Sequence, residues 1–204
     1  NTIIYDDEFE DIMSTARQIA DAGADAILVQ DMGLAEACRG LLPLHASTQC
    51  DTRTADKAAW LHRLGMSRVV LARELSLEEI AHIHSEVPDV ELEAFVHGAL
   101  CVSYSGLCYA SQYCFSRSAN RGECAQFCRM KFDLVDADGK ELVHQRHLLS
   151  LKDMCQIDHL EQLADAGVCS FKIEGRLKDA TYVKNVVAAY SQRLDTIIRK
   201  RSGE

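Results

Sequence analysis

Five of the nine cysteines in this 204-residue chain fall between positions 101 and 128. They are Cys101, Cys108, Cys114, Cys124 and Cys128. Thiolate sulfur is a soft donor, and it holds zinc or iron–sulfur clusters. The spacing is Cys101-x6-Cys108-x15-Cys124-x3-Cys128. Structural zinc usually sits between two short knuckles, and only Cys124-x3-Cys128 has that form. The wider spacing suits the larger footprint of a 4Fe–4S cluster better. Zinc, or thiols with a purely structural or redox role, are the other readings. The paired short gaps of radical enzymes are absent. An odd cysteine count gathered in one cluster argues against a secreted disulfide framework and for an intracellular metal or catalytic site. Cys38, Cys50 and Cys169 read as buried thiols. Cys155 reads as a spare ligand on a helix opening.

The charge around these cysteines differs from that of the whole chain. With 22 Lys and Arg against 31 Asp and Glu, the net charge is −9, which excludes a broadly basic nucleic-acid binder. Between residues 115 and 131, however, Arg117, Arg121, Arg129 and Lys131 oppose only Glu123, and Tyr104, Tyr109, Tyr113 and Phe115 lie close by. Basic residues beside aromatics can hold a phosphate backbone and stack bases. A solvated loop whose arginines pair with acidic neighbours is an equal reading. No apolar run reaches the ~18 residues of a membrane span, and no signal peptide is visible. The expectation is a cytoplasmic protein.

The elements that must position these residues follow a β/α rhythm. Ala26–Val29, Leu44–Ala46, Arg68–Leu71, Leu92–Val96 and Ser170–Ile173 read as buried strands, and residues 1–5 as the end of another. Phe9, Ile12, Met13, Ala16 and Ile19 recur at helical spacing. Ser76 and Glu79 form a capping box. Met154, Ile157, Leu160 and Leu163 read as one helical stripe, and Tyr182 to Leu194 as a longer one. Helices end at Gly23 and Gly167, where glycine is the expected cap. Alternation at about 20–25 residues points to a parallel sheet with crossover helices. At most six strands are present, against the eight of a (β/α)8 TIM barrel. The chain begins without methionine, so two further strands are expected upstream of Asn1. An open doubly wound sheet is the alternative, without a Gly-x-Gly-x-x-Gly turn to support it.

Three parts follow: residues 1–97 as barrel, 98–147 as a Cys-rich insertion with a hairpin turning at Asp136–Gly139, and 148–204 as the last strand and C-terminal helices. In a barrel, loops after strands form the catalytic face. The strand ends carry polar residues there: Gln30 and Asp31, His45 and Gln49, Arg73 and Glu74, His97, then Glu174 and Arg176. Five in succession predict a lined polar pocket.

Three stretches carry a resemblance. They are Glu93–Cys108 (EAFVHGALCVSYSGLC), Arg117–Arg129 (RSANRGECAQFCR) and Lys172–Arg176 (KIEGR), with HASTQ at 45–49 and VLARE at 70–74. Together they resemble the collagenase-like peptidase U32 family over the whole chain. The family label is protease. Yet there is no Gly-x-Ser-x-Gly elbow, no His-Glu-x-x-His and no assignable Ser-His-Asp set; a Cys101–His97 nucleophile pair is the remaining peptidase option. Other branches of the family are iron–sulfur proteins that hydroxylate RNA bases or the ubiquinone ring. NRGxCAQ looks like the branch acting on ribosomal RNA cytidine; a sister branch makes 5-hydroxyuridine in transfer RNA, with prephenate implicated.

The resemblance implies that Cys101, Cys108, Cys124 and Cys128 ligate a 4Fe–4S cluster. It implies RNA as partner, with Arg117, Arg121 and Arg129 on phosphate and His45 and Gln49 on substrate. Arg73, Glu74, His97, Glu174 and Arg176 would line the reacting site. Phe127 departs from the family pattern, where proline is expected. A collagenase-like peptidase and a non-catalytic cluster-bearing partner are the alternative functions. A sheet without its first two strands exposes edges, so pairing with a partner subunit or another copy, or lower stability, is expected.

Overall fold

A computed structural model describes residues 2–175 and 178–203. Four consecutive runs form parallel strands in chain order: β1 (Ile27–Val29), β2 (Leu44–Ala46), β3 (Met66–Val70) and β4 (Glu91–Gly98). The last parallel strand, β8 (Val168–Ile173), pairs with β4 from Leu92↔Val168 to His97↔Ile173. Spatial order follows chain order, so no switch point of a doubly wound sheet occurs among the described strands. The architecture is α/β with a mainly parallel sheet.

Apolar side chains fill the space between this sheet and its helices. Helix α1 (Phe9–Asp21) buries Met13 and Ala16, α3 (Ala55–Arg63) buries Ala58 and Leu61, and α4 (Leu77–Glu86) buries Ile80 and Ile83. They pack with Val29, Leu44, Val69 and Leu92 in one core. The capping box holds: Glu79 N–H donates to Ser76 Oγ at 3.3 Å, and Ser76 N–H donates to Glu79 Oε2 at 2.7 Å. The long C-terminal helix, α7 (Ala180–Ser202), brings in Tyr190 and Ile197. Short helices α2 (Met32–Ala37) and α5 (Ala110–Phe115) have too few turns to show a period in the sequence. Among the described residues no helix is long and apolar enough to cross a membrane.

Three expectations need correction. Residues 2–5 form no strand; the Ile3 N–H donates to the Asn120 carbonyl at 3.3 Å instead. The stripe from Met154 is not one helix. Met154–Cys155 forms β7, antiparallel to β4 opposite Gly98 and His97, a 3-10 turn follows, and α6 covers only Leu160–Asp165. The cause is the buried end of β4: the carbonyl of the wholly buried Val96 needs a donor and takes the Gln156 N–H at 2.9 Å. Cys155 therefore sits on a strand. Cys38 and Cys50 are buried as expected, but Cys169 is exposed, because β8 has a neighbour on only one side among the described residues. The expected hairpin is present as β5 (Phe132–Val135) and β6 (Glu141–Arg146).

Candidate metal centre and strand-end site

The cysteines ride on a segment pinned to the sheet at three points. At the end of β4, Gly98 turns with φ 109° across Glu174; a Cβ there would stand 2.2 Å from the Glu174 carbonyl oxygen. Next, Ser105 reaches the end of β3. Its N–H donates to Glu74 Oε1 at 3.2 Å and its hydroxyl to Oε2 at 3.1 Å. Then Gly106, φ 77°, lies against the chain after β2, where a Cβ would meet the Gln49 carbonyl oxygen at 2.2 Å. No side chain fits at either glycine without moving backbone. The Gln49 amide also donates to the Ala119 carbonyl at 3.5 Å. Gln49 and Glu74 thus position the cysteine segment.

Inside the segment, polar knots set the turns. The buried Ser111 accepts the Ala125 N–H at 3.1 Å and lies 4.0 Å from the Cys124 sulfur. Arg129 donates to the Leu100 carbonyl and, at 3.5 Å, to the Ser150 hydroxyl. Its guanidinium therefore ties the chain before Cys101 to the chain after Cys128. Arg121 is bidentate on Glu8 at 2.5 and 2.8 Å, donates to the Ile3 carbonyl, and stacks over Tyr5 at 4.1 Å. The guanidinium holds the Glu8 carboxyl down to about 2, aided by the Tyr5 N–H. Arg121 and Arg129 are internal clamps as placed. Arg117 is exposed, with no side-chain partner among the described residues. Phe127 packs 5.6 Å from Phe115 and 6.1 Å from Phe132, an aromatic bridge from α5 to the hairpin that proline could not make.

Cys101, Cys108 and Cys124 lie near enough to Cys128 for their charges to act on its thiol. Burial pushes the Cys128 thiol up, and the charges of Cys101, Cys124 and Cys108 push it further against the opposing field of Arg129. Cys101 and Cys124 are exposed, while Cys108 and Cys128 are half-buried. A tetrahedral zinc site with Zn–S bonds of about 2.3 Å needs sulfurs roughly 3.8 Å apart. Among the described residues no three of these sulfurs lie within 4.8 Å of one another. The donor set is all sulfur. Cys155 lies elsewhere, 3.9 Å from the Tyr190 hydroxyl.

His97 faces two phenols. The Tyr190 hydroxyl donates to the Val96 carbonyl at 2.8 Å and accepts the Gln156 N–H at 3.1 Å. Its one proton is committed, so its 3.2 Å contact with His97 Nδ1 requires an Nδ1–H donor. His97 Nε2 then accepts from the Tyr182 hydroxyl at 3.0 Å. Burial pushes the Tyr190 phenol up to about 12, which keeps it protonated for this role. Both ring nitrogens are engaged, and no Cys101–His97 pair forms. His97 thus stands between two tyrosines of α7.

The remaining strand-end residues divide into two layers. Arg73 pairs with Glu174 at 3.4 Å and lies 3.9 Å over the Phe95 ring. Arg176 lies outside the described residues. His45 sits lower, level with Arg68 in the β2–β3 register; burial and then the Arg68 charge hold its pKa below the ordinary value. There a polar column crosses the sheet. Glu93, 9% exposed, takes the Lys172 ammonium at 2.9 Å, the Ser170 hydroxyl at 2.8 Å and Arg68 at 3.6 Å. Burial raises the Glu93 pKa, but these partners outweigh it and the carboxyl falls below its usual range. Sequence reasoning missed this column. Its signal is a charged residue alternating with buried ones inside a strand, as in Leu92-Glu93-Ala94.

The comparisons with known proteins agree with the motifs. The model of peptidase family U32 matches residues 1–204. The chain is 51% identical over 201 residues to the 23S rRNA 5-hydroxycytidine C2501 synthase of Escherichia coli (strain K12), covering 98% of this chain and 31% of that protein. It is 34% identical over 204 residues to the tRNA hydroxylation protein P1 of Bacillus subtilis (strain 168), covering 96% of this chain and 48% of that protein. Among solved structures it is similar to the U32 peptidase Mk0906, with a TM-score of 0.48 and 18% identity over 86% of this chain and 65% of that one. The chain spans half or less of the length of the two curated relatives. A model match from end to end shows the family, and this chain belongs to peptidase family U32.

Proposed function

We propose that this chain is the cluster-bearing part of an enzyme that hydroxylates a base in RNA. The carrying observation is the placement of Cys101, Cys108 and Cys124 around Cys128, an all-sulfur set on a segment pinned to the strand ends. The names of the relatives at 51% and 34% identity support RNA, with ribosomal cytidine ahead of transfer-RNA uridine. In this reading Cys101, Cys108, Cys124 and Cys128 hold a 4Fe–4S cluster, which supplies one-electron chemistry when bound. Glu74, Gly106 and Arg129 set the loop that presents them. Arg117 meets phosphate, and its planar fork suits that ligand. Arg73, stacked on Phe95 and shared with Glu174, offers a cation to a small acidic co-substrate of the prephenate type. His97 orients α7 against the root of the cysteine segment.

The sequential parallel strands support the TIM-barrel form, with two further strands closing the gap between β1 and β8. The peptidase reading is weaker, because the thiol–imidazole pair it needs is absent among the described residues.

The test is metal analysis with an absorption spectrum after anaerobic purification. A brown protein absorbing near 400 nm, with about four irons per chain, is the expected result. A colourless protein holding stoichiometric zinc overturns the cluster assignment.

A further inference from the structure

A cleft of about 890 Å³ opens beside the cysteine segment, between the start of α3 and residues 104–107. Arg53, Thr54, Lys57, Tyr104 and Leu107 line it. A space of this size accommodates a ligand as large as a nucleotide. The Arg53 guanidinium lies 4.5 Å from the Tyr104 ring centroid, held there by Asp51 at 2.8 Å. Tyr104 nonetheless remains 59% exposed. Of the carboxylates in the wall, Asp51 is neutralised by Arg53, while Glu74 and Glu79 keep their charge and are turned onto neutral donors, the Ser105 N–H and hydroxyl and the Ser76 N–H. Lys57 rests over the Trp60 ring and has no carboxylate partner among the described residues. The cleft thus joins a fixed aromatic–guanidinium platform to a lysine that no carboxylate contacts among the described residues.

Such a platform accepts the flat face of a base. In an A-form duplex those faces are already stacked, whereas an unpaired strand offers them. We infer that this cleft seats an unpaired RNA strand, one base stacking on the Arg53–Tyr104 platform and an adjoining phosphate meeting Lys57. The inference rests on the RNA reading above and names residues that the cysteine motifs do not include. It also makes the substrate a loop or single strand rather than a helix.

Fluorescence anisotropy on the anaerobically purified chain tests it, with a labelled single-stranded oligoribonucleotide and a hairpin duplex of matched composition. The single strand should bind more tightly. Tyr104→Ala and Arg53→Ala should each weaken it by about tenfold, the scale of one lost base stack, while Tyr104→Phe should keep it. Lys57→Gln should lower the slope of log Kd against log salt by about 0.7. All three positions are on the cleft wall, so melting temperatures should stay close to that of the unsubstituted chain. Unchanged oligonucleotide binding in Tyr104→Ala and Arg53→Ala overturns the cleft assignment and leaves the RNA reading standing. Equal affinity for the duplex also overturns it. No RNA binding by the unsubstituted chain removes the RNA reading itself. Binding of a gelatin-derived peptide instead, lost in Tyr104→Ala, assigns the cleft to a peptide.

Discussion

The sheet with its helices and the cysteine segment are held together by different forces. Val29, Val69, Leu92 and Val96 in the strands and Leu61 and Ile83 in the helices are almost wholly buried and share one core. Among the described residues from 99 to 156 not one side chain joins that core, and the buried residues there are Ser105, Ser111 and Asn120. Apolar burial is non-directional and tolerates small shifts. The cysteine segment depends instead on directional contacts: Glu74 on Ser105, Ser111 on Ala125, Arg129 on Leu100, and Gly106 flat against Gln49. A segment built this way can be shaped closely around a ligand, and it loosens when a single clamp goes.

The sharpest way to break this contrast is to weaken the scaffold alone. Leu92→Ala should cost about 2–5 kcal/mol, because the close-packed site between sheet and helices cannot collapse. The denaturant midpoint should fall accordingly. A loss below about 1 kcal/mol would mean that the apolar core is not what holds the sheet.

Next in size are changes at the clamps. Glu74→Ala leaves the Ser105 N–H and hydroxyl without their acceptor, a local cost of about 1–3 kcal/mol. Gly106→Ala forces the segment off the Gln49 backbone. Either change should speed amide exchange across residues 99–108 while protection in β3 and β4 stays nearly unchanged. Equal loss in both regions would show them to be one cooperative unit.

The smallest effect concerns the tether between the N-terminal chain and the segment. Glu8 has its folded pKa lowered to about 2 by Arg121. A lowered carboxyl stabilises above its unfolded value and loses that contribution as pH falls through the folded value. The ion pair should therefore persist down through pH 4 and open near pH 2. The Glu8 carboxyl carbon shift, followed by NMR, should titrate near 2, and in the ordinary carboxylate range in Arg121→Gln. An unchanged midpoint in that variant would separate Glu8 from Arg121.

How far the sequence could be read follows the same division. Apolar runs identified β1 to β4 and β8, since a strand that packs on the core is recorded in its own residues. The capping box of α4 was legible because donor and acceptor stand three residues apart. The partners of Glu74, Arg121 and Arg129 were not legible. Glu74 meets a serine 31 positions away and Arg121 a glutamate 113 positions away. A charged residue at a strand end or in a basic loop looks the same whether it waits for substrate or holds the chain. The partners of His97, Tyr182 and Tyr190 of α7, were equally out of sight, 85 and 93 positions away.

The residues alone determined the β/α class, which is written in local spacing, and the family, which long motifs carry; the four cysteines named as ligands follow from that resemblance. Only the tertiary structure decided which polar groups are clamps and which remain open. It brought Glu74, Gln49 and Arg129 onto the cysteine segment and left Arg117, Lys57 and the Tyr104 ring facing outward. A polar side chain's role depends on whether the folded chain supplies its partner, and that partner lies at a distance no local pattern records.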